Sequence, residues 1–357
     1  MPLNPEKLLP WFVLAIAAGM PAFSSAQEAG CQSISINTDR LACYDKAARR
    51  ISPTPSDPRG DGSSEGNGLK NELVTDTSDE IKRQGSNGSA LTDSWELNAE
   101  SKRGVFVLRT YKPIYIMPLS FTNKVNQTPS SSAPGHTGVS PSHLDAAEAK
   151  FQFSVKTKAV ENLFGDNGDL WLGYTQSSRW QVYNSEGSRP FRETNYEPEA
   201  MLVFRTNYDF LGFKGSMASI GVNHQSNGRA LPLSRNWNRI IAQVGFERDD
   251  WMVTLRPWWR LPENERSDDN PELENYLGRG EITVARRWQG NVFSLQARHS
   301  LRGGENSRGS AQMAWSFPIA GDLKGYVQLF SGYGESLIDY NHRQTVLGLG
   351  FSVADWF

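Results

Sequence analysis

The sequence predicts an all-β fold: a twelve-stranded antiparallel transmembrane β-barrel with an N-terminal periplasmic extension. Three observations carry that expectation. From about residue 95 onward, apolar and polar side chains alternate in short segments separated by turn residues, as strands do when one face meets lipid and the other water. The mean hydropathy is only -0.53, yet the chain holds 17 Phe, 11 Trp, 11 Tyr and 32 Gly. After the N-terminus, no apolar run approaches the roughly 20 residues that a membrane helix needs.

Taken in order, residues 1–26 resemble a secretory signal. Lys7 precedes the apolar run Leu8–Ala18, and Ser24-Ser25-Ala26 offers a small-residue cleavage site. Residues 27–94 form the periplasmic extension and a flexible linker. Its two cysteines, Cys31 and Cys43, are the only ones in the chain, and a local disulfide in an oxidising compartment is the simplest reading. Residues 51–92 are rich in Ser, Gly, Asp, Asn and Pro and lack the apolar content of a packed segment. Gly62-Ser63-Ser64-Glu65-Gly66 matches a nucleophile-elbow pattern, but no strand precedes it and no helix follows, so it is a coincidence of composition.

The barrel is expected over 95–357, with strands near 104–117, 150–159, 169–180, 198–208, 214–226, 238–247, 250–260, 276–287, 291–300, 309–317, 323–333 and 345–357. Each has the length of a tilted membrane strand, and their number is even. The last places Leu347, Leu349, Phe351, Val353 and Phe357 outward, with Gly348, Gly350, Ser352 and Ala354 facing the lumen. A net charge of -2 implies no nucleic-acid partner.

The chemistry concentrates in Asn223-His224-Gln225-Ser226-Asn227-Gly228-Arg229. The alternation of Ala218, Ile220 and Val222 continues onto His224 and Ser226, so both belong to the apolar face. On the next strand, Asn238 starts a face of Ile240, Ala242, Val244 and Phe246. Pairing of the two strands would bring a serine, a histidine and an asparagine together on one lipid-facing wall. At i and i+2, His224 and Ser226 lie about 6 to 7 Å apart at Cα. A serine hydroxyl needs such a base to become nucleophilic, and an asparagine oxygen can hold the imidazole tautomer. The backbone N–H of Ser226 is one donor for a developing oxyanion. The other histidines lack this set: His136 and His143 lie in a Ser/Pro-rich loop, and His299 and His342 have no serine two residues on. No acidic cluster has EF-hand spacing, so spacing alone does not suggest calcium.

On the third strand, Leu170, Leu172, Tyr174 and Gln176 share the outer face. A glutamine facing lipid is costly without a partner. It sits either in the headgroup zone or in a protein–protein contact.

The central run, with Ser234-Arg235-Asn236-Trp237-Asn238-Arg239, resembles the bacterial outer-membrane phospholipase A family. So do Tyr174-Thr175-Gln176, Asn184-Ser185-Glu186, Pro190-Phe191-Arg192-Glu193-Thr194-Asn195-Tyr196-Glu197-Pro198, Asp268-Asp269-Asn270-Pro271 and Ser331-Gly332-Tyr333-Gly334-Glu335-Ser336-Leu337-Ile338-Asp339-Tyr340-Asn341. The resemblance implies a bacterial outer-membrane barrel, calcium-dependent hydrolysis of phospholipid acyl esters, and activation as a homodimer. It implies Ser226 as nucleophile, His224 as base and Asn238 as orienting residue. It implies Ca2+ held by the backbone carbonyls of Ser188 and Arg229 and the hydroxyl of Ser234, and it places Gln176 at the dimer interface. Leu231 stands where some relatives carry an acid in a second, weaker calcium site; Asp268 or Asp269 remain candidates near it. Two other barrel readings compete: a passive porin, in which Ser226 would be chemically idle, and an adhesin or receptor, which would carry its distinctive residues in long loops.

Overall fold

The computed structural model describes residues 89–138 and 142–357. The expected signal, the cysteine pair and the linker up to residue 88 lie outside the described residues. A short helix α1 (Ala90–Trp95) comes first. The strands are β1 (Leu108–Thr110), β2 (Ile114–Thr122), β3 (Ala147–Val160), β4 (Asp169–Trp180), β5 (Phe191–Phe210), β6 (Phe213–Ser226) and β7 (Asn236–Arg248). They continue as β8 (Trp251–Arg260), β9 (Gly280–Trp288), β10 (Asn291–His299), β11 (Gly309–Ala320), β12 (Leu323–Tyr333) and β13 (Arg343–Ala354), with helix α2 (Glu274–Leu277) between β8 and β9.

Every neighbour in β2 to β13 pairs antiparallel, and β13 pairs back onto β2, so twelve strands close the barrel. The short β1 lies on the same edge of β3 as β2. The first expected strand is therefore two pieces. The break falls at Tyr111-Lys112-Pro113, where proline cannot donate to the ladder.

The two barrel ends differ. At one end, two-residue turns join β5 to β6, β7 to β8, β9 to β10 and β11 to β12. Leu211-Gly212 and Gln289-Gly290 have positive φ at both positions, the geometry of tight hairpins. The connections after β2, β4, β6, β8, β10 and β12 are longer. In bacterial barrels the short turns are periplasmic and the long loops extracellular.

Outward residues are apolar along the wall, including Leu347, Leu349, Phe351 and Val353. Phe357 departs from the expected pattern. The last strand stops at Ala354, and Phe357 packs with Trp356 against the cluster of Leu91, Trp95, Trp171, Met201 and Met217 inside the short-turn end. That cluster includes Leu91 and Trp95, so α1 packs inside the barrel. Glu247 accepts from the Leu91 N–H and the Thr92 hydroxyl, which anchors α1 to β7. At the long-loop end, Trp237, Ile241, Trp258, Leu273, Leu277, Leu337 and Tyr340 form a second cluster.

Between the two clusters the lumen is spanned by ion pairs. Arg256 of β8 reaches Glu199 of β5 at 2.6 Å, and Lys112 reaches Glu197 at 2.9 Å. Lys150 and Arg179 both contact Glu335, each at 2.8 Å. Charges buried in a lumen require partners of this kind.

Candidate active site

The site lies where β6 and β7 run out into the long loops. Val222 and Ile220 are 56 % and 51 % exposed on the outer wall, whereas Asn223 beside them is 3 % exposed and faces the lumen. The alternation therefore carries His224 and Ser226 outward. His224 and Asn238 are direct partners across β6 and β7, and His224 Nδ1 lies 2.8 Å from Asn238 Oδ1. Ser226 follows two residues later, opposite Asn236 on β7 and Tyr196 on β5. The structure thus brings the three residues together on the lipid-facing wall. Among the described residues no hydrogen bond joins the Ser226 hydroxyl to His224; such bonds commonly tighten once substrate is bound.

The inner faces of the same strands hold this register. Gln225, between His224 and Ser226, accepts from Trp237 Nε1 at 2.8 Å. Arg239 Nε donates to Asn223 Oδ1 at 3.0 Å, and Arg239 also pairs with Glu197 at 2.9 Å. A one-residue slip would turn these three side chains inward and break all of these bonds. Immediately after Ser226, Asn227 closes the loop. Its N–H donates to the Arg235 carbonyl at 3.0 Å, and its side-chain amide donates to the Leu233 carbonyl at 2.8 Å.

The residues expected to hold calcium lie in these loops. Ser234 Oγ donates to Asp269 Oδ2 at 2.5 Å. Arg229 Nη1 donates to the Arg192 carbonyl at 2.5 Å, which ties the β6–β7 loop to β5. Ser188, with φ of 59°, lies exposed in the β4–β5 loop. Among the described residues, neither the Ser188 nor the Arg229 carbonyl accepts a hydrogen bond. No three His, Cys, Asp or Glu side chains cluster as a metal cage among the described residues. A cation here would depend on carbonyls, hydroxyls and water, a hard-oxygen set suited to Ca2+. Leu231 is exposed and offers no ligand.

The two acidic candidates separate clearly. Asp268 is paired with Arg260 at 2.6 Å. Asp269 instead faces the site, accepting from Ser234, from Asn236 Nδ2 at 2.6 Å and from His136 at 2.9 Å. Burial pushes its carboxyl up, but the hydrogen bonds from Ser234, His136 and Asn236 more than offset this, so it is held below the usual range.

Two side chains escaped the sequence reading. His136 sits in the Ser/Pro-rich loop, yet it pins Asp269, and its carbonyl accepts from Arg235. Glu263, in the β8–β9 loop, accepts from Asn238 Nδ2 at 3.3 Å. Burial raises its carboxyl above the ordinary value, with Asp268 and Asp269 adding to the rise and Arg260 and Asn238 opposing it. Neither contact leaves a local signal, because each depends on how a loop folds onto a distant element.

Gln176 is on β4, and the Tyr174 hydroxyl donates to its amide oxygen at 3.0 Å. Its amide N–H groups make no hydrogen bond among the described residues. Its neighbours on the same rung are Phe153 and Tyr196, and Tyr196 in turn neighbours Ser226.

Comparison with known proteins agrees with this architecture. A family model described as phospholipase A1 matches residues 91–353. A Neisseria meningitidis serogroup B relative, described provisionally as a phospholipase A1, is 36% identical over 91% of this chain and 90% of its own length. The phospholipase A1 of Escherichia coli K12 is 40% identical over 59% of this chain and 71% of its own. The solved outer membrane phospholipase A of Escherichia coli superposes with a TM-score of 0.66 at 33% identity, covering 75% of this chain and 99% of that one. A Salmonella typhi outer membrane phospholipase, solved as a dimer with bound calcium, gives a TM-score of 0.66 at 34% identity, over 76% of this chain and 100% of that one. The chain belongs to the phospholipase A1 family, as a twelve-stranded β-barrel of the bacterial outer membrane.

Proposed function

We propose that this chain is a calcium-dependent phospholipase that hydrolyses acyl esters at both A1 and A2 positions, and of lysophospholipids, by a Ser226–His224–Asn238 triad. The observation that supports this best is the bond between His224 and Asn238 beside Ser226, on a wall that meets lipid rather than water. In this reading a phospholipid diffusing laterally in the membrane brings its ester to that wall. As Ser226 Oγ attacks the acyl carbon, His224 Nε2 takes the hydroxyl proton, and the ester π electrons move to the carbonyl oxygen. Asn238 Oδ1 accepts from His224 Nδ1–H and stabilises the imidazolium. In this reading the Ser226 N–H donates to the oxyanion. Collapse expels the glycerol oxygen, which takes the proton from His224, and an acyl-enzyme remains. Water deprotonated by His224 then releases the fatty acid and restores Ser226.

The carbonyls of Ser188 and Arg229 and the hydroxyl of Ser234 would hold Ca2+, with Asp269 fixing the Ser234 hydroxyl. When bound, the cation supplies Lewis-acid polarisation beside the developing negative charge. The test is fatty-acid release from phospholipid micelles, comparing wild type with Ser226→Ala, each with calcium and with a chelator. Release that requires both Ser226 and calcium is expected. Equal release from the variant would remove Ser226 as the nucleophile. No release from either, with the barrel folded and dimers present, would favour a pore.

The active form in this reading is a homodimer. Gln176 lies on the same rung as Ser226, two strands away, or roughly 10 Å at ordinary strand spacing. A partner barrel docked on Gln176 would wall a cleft for the acyl chains beside the nucleophile. The unpaired amide N–H groups of Gln176 favour such a partner over lipid. Gln176→Leu is expected to weaken dimerisation by about 0.5–2 kcal/mol, as measured by sedimentation in detergent with calcium. An unchanged dimer constant would move the interface elsewhere.

A further inference from the structure

Asparagine is an ambiguous orienting residue. A carboxylate accepts through either oxygen, but an amide turned by 180° would present N–H to the imidazole instead of oxygen. Some other group must therefore choose the orientation. We propose that Glu263 is a positioning residue that fixes the Asn238 amide, and through it the His224 tautomer. The inference rests on the triad reading above.

The geometry is direct. Asn238 Oδ1 lies 2.8 Å from His224 Nδ1, while Asn238 Nδ2 donates to Glu263 Oε1 at 3.3 Å. An ionised carboxylate can only accept, so it selects the face of the amide that carries hydrogens. The oxygen is left for His224 Nδ1–H, which leaves Nε2 as the base toward Ser226. Asn238 is also held through its backbone, because its carbonyl accepts from the Leu261 N–H at 2.8 Å. The start of the β8–β9 loop is thus fastened to Asn238 at two points. Arg260, Asp268 and Asp269 are the charged groups around Glu263. Arg260 is engaged by Asp268 at 2.6 Å, so Asn238 is the neutral donor for Glu263 to serve.

The test uses the full-length barrel in micelles with calcium. It compares kcat and KM for Glu263→Ala and Glu263→Gln in the wild-type, Asn238→Ala and Asn238→Asp backgrounds. Ser226→Ala runs alongside, and gel mobility of unheated samples reports the folded barrel. Glu263→Ala is expected to lower kcat about tenfold, the worth of one hydrogen bond to a charged group, with KM unchanged. Glu263→Gln should recover most of that loss, since its amide oxygen accepts the same N–H. In Asn238→Ala, removing Glu263 should change nothing further. In Asn238→Asp, where two carboxylates would face one another, it should raise kcat. That reversal of sign is one a merely structural loop residue would not produce.

Wild-type kcat in Glu263→Ala, a change confined to KM, or an equal loss in the Asn238→Ala background would each overturn the proposal. If Ser226→Ala retains activity, the triad itself fails. If Ser226 is required and Glu263→Ala is neutral, only the positioning role fails.

Discussion

His224→Ala is expected to abolish esterase turnover almost as completely as Ser226→Ala, by roughly 10⁴-fold or more in kcat. Each substitution disables the same unit, since an unassisted hydroxyl gains little from its surroundings and a base without its nucleophile gains nothing. The double variant should therefore lose no more than either single one, and that non-additivity is the signature to look for. Asn238→Ala should lose less. His224 would keep its place on β6 but lose the one side-chain hydrogen bond it makes among the described residues. The measurement is single-turnover fatty-acid release with calcium in excess. If the His224 and Ser226 losses multiply, the two residues act independently and the proposed proton transfer between them is wrong. Because all three side chains point to lipid, none of the losses should come with a loss of barrel stability.

Much of this was legible in the sequence because a barrel strand is a period-two pattern closed by turns. β4 and β12 match their expected bounds of 169–180 and 323–333, since apolar outer faces and turn residues bracket them. β5 was expected to start at residue 198 but begins at Phe191. The stretch Arg192 to Glu197 is as charged as a loop, and its inward members find most of their partners on other elements. Glu193 accepts from the Ile338 N–H at 3.1 Å, and Glu197 takes Lys112 and Arg239. Hydropathy cannot register a lumen full of ion pairs. The His224, Ser226 and Asn238 set was visible because strand pairing is local and its register follows from alternation. His136, Glu263 and the choice of Asp269 over Asp268 depend on how loops fold onto one another and onto β7, which leaves no period in the sequence.

The lumen carries the second large effect. Glu335 is 8 % exposed and joins Arg179 of β4 at 2.8 Å and Lys150 of β3 at 2.8 Å, with Arg192 of β5 at 3.8 Å. The Arg179 guanidinium also donates to the Glu335 backbone carbonyl. One carboxylate thus offsets the two cations Arg179 and Lys150, while Arg192 is held more closely by Glu148 at 2.8 Å and Asp339 at 2.7 Å, and Glu335 stands in the β12–β13 loop that folds over them. Glu335→Ala is expected to destabilise the barrel by about 3–5 kcal/mol, because those cations stay buried without their shared partner. Glu335→Gln should fall between, keeping the hydrogen bonds but not the charge. Burial alone would raise the Glu335 carboxyl, but Arg179, Lys150 and Arg192 reverse that and hold it well below the ordinary 4.5. A carboxylate with a depressed folded pKa stabilises the fold above its unfolded value. That contribution is lost as pH falls below about 4.5 toward the folded value. Urea unfolding followed by tryptophan fluorescence, at neutral pH and below pH 4, would measure both effects. Wild type should lose stability on acidification, and Glu335→Ala should lose less, since it no longer holds the proton-sensitive pair. A variant as stable as wild type at neutral pH would mean that water reaches these cations and that the loop is not what closes the lumen.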